Sequence, residues 1–208
     1  KYRHATAYLL NGSAKYWLRS GDGPAFLYAH YNEPHRPYYP PLPYLDTYTE
    51  DIEMSPEEAG EFSMHVHENL ERFLAEGKTL SEDELDALVA MYDAEISYTD
   101  ACAGRLIEFV RSVDDRDVIV VVTADHGELF GEYGLLGHKF VLKDELTHVP
   151  LVTHGIDGIE TDRLVQHADV MQTILDDLGG DTSGFEGRSL RGEPREFVVS
   201  QDHETDLE

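Results

Sequence analysis

The chain has 208 residues, enough for one domain with a sizeable core, and 41% of them are hydrophobic, as in folded globular proteins. Its 42 acidic and 16 basic residues give a formal net charge of −26, and only 5 of the basic residues are lysines. A surface this acidic repels nucleic acids and anionic membranes, which argues against both as partners. No apolar stretch approaches the ~18 residues of a membrane span.

The acidic residues are spread along the chain and are not gathered in one tail. A dispersed excess is typical of haloarchaeal proteins, because concentrated salt screens the repulsion between their charges. We therefore expect a salt-adapted protein, with an ordinary acidic mesophilic protein as the alternative. Cys102 is the only cysteine and lies in a helical pattern, which predicts a buried residue and not a nucleophile.

The first predicted elements lead to a loop rich in proline. A helix already under way at Lys1 is followed by a buried strand over residues 25–31. That strand runs into a loop from Asn32 to Pro43, which contains five prolines.

Two predicted helices come next, and each begins with a capping box. Ser55 and Glu58 enclose Pro56 at the first helical position, and Ser81 with Glu84 repeats the pattern. In the second helix, apolar or small residues three and four positions apart predict one buried face. Its members are Leu85, Leu88, Tyr92, Ile96, Thr99, Ala103, Leu106 and Val110.

The rest of the chain alternates predicted strands and helices. A β-branched run over residues 118–123 predicts a strand buried on both faces. A strand over 149–153, a helix over 169–178 and a short strand over 197–199 follow. This order predicts an α/β fold with a mainly parallel central sheet and flanking helices, in which ligands bind beyond the carboxyl ends of the strands.

The sharpest motif, residues 123–128 (TADHGE), directly follows the strand over 118–123. Asp125 offers a carboxylate and His126 an imidazole, and Gly127 lets the backbone turn tightly. Carboxylates favour Ca²⁺ or Mg²⁺, and histidine tolerates Mn²⁺ or Zn²⁺. The pair therefore indicates a divalent-metal site with further ligands from elsewhere, and a turn with a capping aspartate is the alternative.

Two further segments carry candidate catalytic residues. His35 lies between Pro34 and Pro37 in a loop stiffened by proline, where a histidine can bind an anion or protonate a leaving oxygen. The glycine-rich segment 131–139 brings His138 and Lys139 close to the Asp-His pair along the chain.

Taken together, these segments resemble the sulfatase family of the alkaline phosphatase superfamily. Residues 26–38 are similar to the strand and loop that carry a substrate-binding histidine, and residues 121–152 to the metal-binding segment with the strand after it. Residues 92–96 resemble the helix between them, and residues 187–190 the entry to a small C-terminal subdomain. The resemblance implies an alkaline-phosphatase-like catalytic domain over residues 1–180 and the start of that subdomain over 181–208.

The resemblance also implies roles for single residues. It makes Asp125 and His126 two of the metal ligands, with Ca²⁺ expected first and Mg²⁺ or Mn²⁺ also possible. It makes His35 the histidine that contacts the sulfate. Where family members often carry a lysine, this chain has His138 with Lys139 beside it, and either could contact the substrate oxyanion.

One feature of the family pattern is absent from these 208 residues. The nucleophile of the family is a formylglycine made from the first residue of a Cys-x-Pro-x-Arg or Ser-x-Pro-x-Arg motif, and no such motif occurs here. The family's paired acidic metal ligands that precede it are absent as well. We therefore expect a C-terminal portion of a sulfatase, with the formylglycine in a missing N-terminal part and no activity in this chain alone.

The function implied for the complete protein is metal-assisted hydrolysis of a sulfate ester, on a small molecule or a glycan. The first alternative is phosphate-ester chemistry on the same scaffold, as a phosphodiesterase, phosphonate hydrolase or phosphoglycerol transferase. The second is a metal-binding remnant without catalytic activity.

Overall fold

The computed structural model describes residues 6–113 and 117–201, in which helices and short strands form two compact units. The first unit contains residues 1–115 and 129–137, and the second contains residues 116–128 and 138–208. The elements are α1 (Thr6–Ser20), α2 (Pro56–Glu76), α3 (Glu82–Val113), β1 (Val120–Thr123), β2 (Leu129–Phe130), β3 (Leu136–Gly137), α4 (Asp144–Thr147), β4 (Leu151–His154) and α5 (His167–Asp177).

The first unit is built around α3, which packs against α1 and α2. Its main core lies between α2, α3 and the antiparallel hairpin β2–β3, with Phe73, Met91 and Leu136 among its buried side chains. Tyr38, from the proline-rich loop, is buried in the same core. The core therefore fixes one end of the loop that carries His35.

Both capping boxes form as predicted. The Ser55 hydroxyl accepts the Glu58 N–H, and the Glu58 carboxylate accepts the Ser55 N–H. Ser81 and Glu84 exchange the same two bonds at the start of α3. These contacts satisfy helix-end N–H groups that have no partner within the helix, which is why the pattern marks a helix start.

The face of α3 that is buried differs from the predicted one. Of the predicted residues only Leu88 and Leu106 are fully buried, and Ile96 is exposed. The buried positions lie on a neighbouring face of the helix, which contains several alanines among larger residues. The small alanine side chains let neighbouring helices approach closely. The buried positions are Ala87, Leu88, Ala90, Met91, Ala94, Glu95, Tyr98, Cys102 and Leu106. Cys102 is fully buried, as predicted.

The strand predicted over residues 25–31 does not form. The segment has no assigned secondary structure, and Phe26 and Tyr28 are largely exposed. A strand needs a partner for its backbone N–H and C=O groups, and no described strand pairs with this segment. The prediction of a buried strand over residues 25–31 is therefore wrong.

The second unit contains the strand pair β1–β4 and helix α5. The two strands are antiparallel, with Val120 opposite His154 and Thr123 opposite Leu151. The predicted strands at residues 118–123 and 149–153 are thus present, but the described residues form no parallel pair. Val122 and Val152 are exposed, so the prediction of a strand buried on both faces is wrong.

The C-terminal part of the second unit packs on α5. The helix ends before Gly179, which has the left-handed φ of 67° that favours glycine. The predicted strand over residues 197–199 is absent, because Phe197 and Val199 lie exposed with no strand beside them. The helix predicted from Lys1 is present from Thr6, and its first five residues lie outside the described part of the chain.

The predicted boundary between residues 180 and 181 stays a prediction. No helix among the described residues is long and apolar enough to cross a membrane.

Candidate active site

The loop that carries His35 is fixed on its N-terminal side by Glu33. This side chain is only 3% exposed, and its carboxylate accepts hydrogen bonds from the backbone N–H groups of Thr6 and Ala7 at 2.6 and 3.2 Å. The Thr6 hydroxyl donates to its second oxygen at 2.9 Å. A carboxylate at the N-terminus of a helix satisfies unpaired donors and interacts favourably with the helix dipole. Glu33 therefore ties the loop to the start of α1.

Two backbone contacts fix the loop on its C-terminal side. The N–H of Tyr38 donates to the hydroxyl of Ser63 on α2 at 2.7 Å, and both residues are buried. The N–H of Tyr39 donates to the carboxyl of Glu95 on α3 at 3.0 Å. The ring of Tyr38 also packs against the rings of Tyr92 and Phe130. The loop is thus held on both sides of His35.

His35 itself is exposed between these anchors. Its Nδ1 lies 2.7 Å from the carbonyl oxygen of Arg36. A carbonyl can only accept, so Nδ1 carries the proton in the neutral ring and Nε2 carries the lone pair.

Glu95 is a buried carboxyl group at the base of the same loop. It is 1% exposed, and its Oε2 has no hydrogen-bond partner within the described chain. Burial raises the pKa of Glu95 to about 8, the Tyr39 N–H lowers it, and the nearby Glu33 charge raises it further. Glu95 is therefore protonated at neutral pH.

The predicted metal ligands follow β1 directly. Asp125 Oδ2 and His126 Nε2 are 3.7 Å apart, close enough for one ion to contact both. His126 Nδ1 lies 2.7 Å from the carbonyl of Gly127, so Nδ1 donates and Nε2 carries the lone pair. Asp125 Oδ1 accepts the His126 N–H at 3.0 Å, which orients the carboxylate.

Gly127 is needed here for a reason that differs from the predicted tight turn. A side-chain Cβ at this position would lie 1.9 Å from the carbonyl oxygen of Glu145. The Gly127 N–H donates to the Leu146 carbonyl at 2.9 Å, so α4 lies directly against the loop. Any larger residue would push α4 away from the residues that follow β1.

His138 lies beside His126 in the second unit. Their ring centroids are 4.1 Å apart, and His138 Nδ1 is 3.1 Å from the carboxylate of Glu128. The Glu128 side chain is only 6% exposed, and Lys139 is exposed. The Glu128 contact was not predictable from the local pattern, since it depends on a turn between the two residues.

The first residue of helix α5 contacts the segment after β1 that carries Asp125 and His126. His167 Nε2 lies 2.8 Å from the carbonyl of Ala124.

Two residues further along α5, the buried Asp169 accepts hydrogen bonds from the backbone N–H groups of Gln166 and Arg188 and forms an ion pair with Arg195. Burial would raise the pKa of Asp169, but the Arg195 and backbone hydrogen bonds outweigh it and lower the pKa. The carboxylate therefore stays charged. It connects α5 to residues 187–190, which were predicted to be the entry to a small C-terminal subdomain.

The side chains of Asp125 and His126 fit a divalent metal as a partial ligand set. Their oxygen and nitrogen donors converge, and the His126 tautomer is the one a metal needs. Within residues 6–113 and 117–201, no group of three or more metal-binding side chains occurs. The pair would therefore need ligands from elsewhere. His35 belongs to the first unit and the other candidates to the second, and their convergence on one site stays a prediction.

Comparison with known proteins gives consistent matches. The family model described as Sulfatase matches residues 2–180. The multifunctional alkaline phosphatase superfamily protein PehA of Trinickia caryophylli is 31% identical, over 92% of this chain and 42% of its own length. Arylsulfatase K of Canis lupus familiaris is 32% identical, over 48% of this chain and 19% of its own length.

Solved structures agree with these matches. The phosphonate monoester hydrolase of Agrobacterium radiobacter is 25% identical with a TM-score of 0.71, over 93% of this chain and 44% of that one. The predicted α/β fold of the alkaline phosphatase type is thereby confirmed. The chain spans less than half the length of each of these three proteins.

Proposed function

The chain belongs to the sulfatase family, and on that premise we propose that the complete protein hydrolyses sulfate esters with the help of a divalent metal. The observation that carries the proposal is the pair of Asp125 and His126 after β1, with its donor atoms 3.7 Å apart and its imidazole tautomer fixed. The substrate would be a small molecule or a glycan that carries a sulfate ester.

Asp125 and His126 would hold the metal together with ligands from outside the described residues, with Ca²⁺ first and Mg²⁺ or Mn²⁺ next. When bound, the metal would supply positive charge at the sulfate oxygens and at the nucleophile. The chain's own contribution is orientation. Asp125 is aligned by the His126 N–H, and His126 by the Gly127 carbonyl.

His35, His138 and Lys139 would bind the anionic group of the substrate. His35 would use Nε2–H of the doubly protonated ring, because an anion needs a donor and Nδ1 already donates to the Arg36 carbonyl. His138 is the better candidate of the other two, because its ring lies against the ring of the proposed metal ligand His126. Two of the five lysines, Lys139 and Lys143, also follow His138 closely in the chain. Their positive charges would reduce the repulsion that the acidic chain exerts on an anionic substrate.

Phosphonate or phosphate ester hydrolysis is the second candidate. It is supported by the likeness to a phosphonate monoester hydrolase and to a multifunctional member of the superfamily. Sulfate and phosphate esters both present tetrahedral anions, so the same histidines and metal ligands would serve either. The identity of the nucleophile would separate the two.

These 208 residues alone should be inactive. They contain no Cys-x-Pro-x-Arg or Ser-x-Pro-x-Arg motif, and Cys102 is buried inside α3. Without a nucleophile, oriented donors give little turnover.

The test is an assay of the product of the complete gene, in molar KCl with Ca²⁺ or Mn²⁺, on an aryl sulfate and an aryl phosphonate monoester. We expect aryl sulfate hydrolysis that Asp125→Ala lowers at least about 100-fold. Asp157→Ala, which removes an exposed acid of the same unit, should leave the rate unchanged. Hydrolysis of the phosphonate alone would favour the second candidate, and no effect of Asp125→Ala would contradict both.

A further inference from the structure

Arg36 is the residue that follows His35, and its side chain turns back into the first unit. A Cβ added at Gly137 would lie 2.7 Å from Arg36 Nη1, so the guanidinium lies directly against the glycine. Gly137 is buried and has a φ of 85°, a conformation that also favours glycine. The absence of a side chain at position 137 therefore makes room for Arg36.

The surroundings of the guanidinium restrict it further. Arg36 lines a cavity of only about 20 Å³ together with His67 and Leu70 of α2 and Leu136 of β3. A space of that size holds about one water molecule. The side chain thus lies between α2 and the hairpin β2–β3, and Arg36 is half-buried although His35 beside it is exposed.

The backbone of the same residue contacts His35. The Arg36 carbonyl oxygen accepts from His35 Nδ1 at 2.7 Å. A side chain that is held in place restricts the backbone to which it is attached, and here that backbone orients the carbonyl.

We infer that Arg36 is a positioning residue for His35. Its guanidinium is anchored against Gly137, and its carbonyl holds the His35 imidazole as the tautomer with hydrogen on Nδ1. Nε2 is then the ring nitrogen that would accept a proton or, once protonated, donate one to the substrate. The catalytic consequence rests on the proposed function, whereas the positioning itself does not.

The test is nuclear magnetic resonance of the ring nitrogens in the 208-residue chain, at about pH 8.5, where an ordinary imidazole is neutral. The His35 signals are assigned by their loss in His35→Gln. In the unchanged chain we expect well-separated nitrogen shifts, with hydrogen on Nδ1. In Arg36→Ala the two shifts should move toward each other as the tautomers interconvert, and Arg36→Lys should restore part of the separation.

The control is Arg72→Ala, which removes an exposed arginine of α2 whose guanidinium lies over the Phe73 ring. It should leave the His35 shifts unchanged. Unchanged His35 shifts in Arg36→Ala would overturn the inference. If that variant does not fold, Gly137→Ala displaces the guanidinium from the opposite side, and unchanged shifts there would overturn it equally.

The experiment uses no substrate, so it separates the two proposals. A complete gene product that hydrolyses neither ester while His35 keeps a fixed tautomer would contradict the proposed function alone.

Discussion

Glu95 connects the stability of the first unit to pH at the scale of a single residue. Its carboxyl is buried, and its pKa is raised by burial from 4.5 to about 8. Between these two values the folded chain holds a proton at Glu95 that the unfolded chain has released. The free energy of unfolding should therefore fall as pH rises from about 4.5 to about 8, by at most a few kcal/mol.

Glu95→Gln should remove this dependence. The amide is neutral at every pH, and its oxygen can still accept the Tyr39 N–H. The measurement is the urea midpoint between pH 5 and 8.5, followed by fluorescence of Trp17, the only tryptophan, which lies in α1. Glu108→Gln, at an exposed position of the same helix, is the control and should keep the slope of the unchanged chain. An equal slope in Glu95→Gln would contradict the assigned role.

The buried carboxyl groups of Glu33 and Glu95 also show what could not be predicted from the sequence at this scale. Nothing in the local pattern indicates that either is buried, because their partners Thr6 and Tyr39 lie 27 and 56 residues away. By contrast, the approach of Asp125 to His126 was predictable, since the two residues are neighbours in the chain. The position of His138 beside His126 was not, because it depends on the hairpin between them.

At the scale of elements, Glu33 should stabilise α1 from outside the helix. Its carboxylate accepts three hydrogen bonds at the N-terminus of α1. Glu33→Gln keeps one acceptor oxygen, but its NH₂ group would face the hydrogen-bond donors at the start of α1. We therefore expect the free energy of unfolding to fall by about 1–3 kcal/mol.

The measurement is urea unfolding followed by Trp17 fluorescence, since Trp17 lies in the helix concerned. Glu61→Gln removes the same charge at an exposed position of α2 and should change stability by less than about 0.5 kcal/mol. Equal stability of the two variants would show that the Glu33 contacts do not support α1.

Elements with a local signal were predicted well, and elements that depend on distant partners were not. The starts of α2 and α3 follow from capping boxes that span four residues each. The segment 25–31 has the composition of a strand, but strand formation needs a partner, and none of the described strands pairs with it. The buried face of α3 was misplaced because it is decided by α1 and α2, which the helical period alone does not locate.

At the scale of the whole molecule, the net charge of −26 should make folding depend on salt. Repulsion among 42 acidic side chains opposes the compact state in dilute buffer, and salt screens it. We expect the urea midpoint to rise steeply from low to molar KCl. Sucrose, a neutral stabiliser, should raise it far less at matched osmolality. A midpoint that stays flat with KCl would mean that the acidic surface has another cause.

We propose that Asp125 and His126, which follow β1, form part of the metal site of a sulfatase-family hydrolase. The most direct measurement is a Ca²⁺ titration of the chain in molar KCl, followed through the imidazole signals of His126. We expect a saturable change with a dissociation constant on the order of 1 mM, since only two ligands converge. Asp157→Ala should titrate like the unchanged chain, and Asp125→Ala should bind at least about tenfold more weakly. A His126 signal that does not respond to Ca²⁺, or an equal response in Asp125→Ala, would contradict the claim.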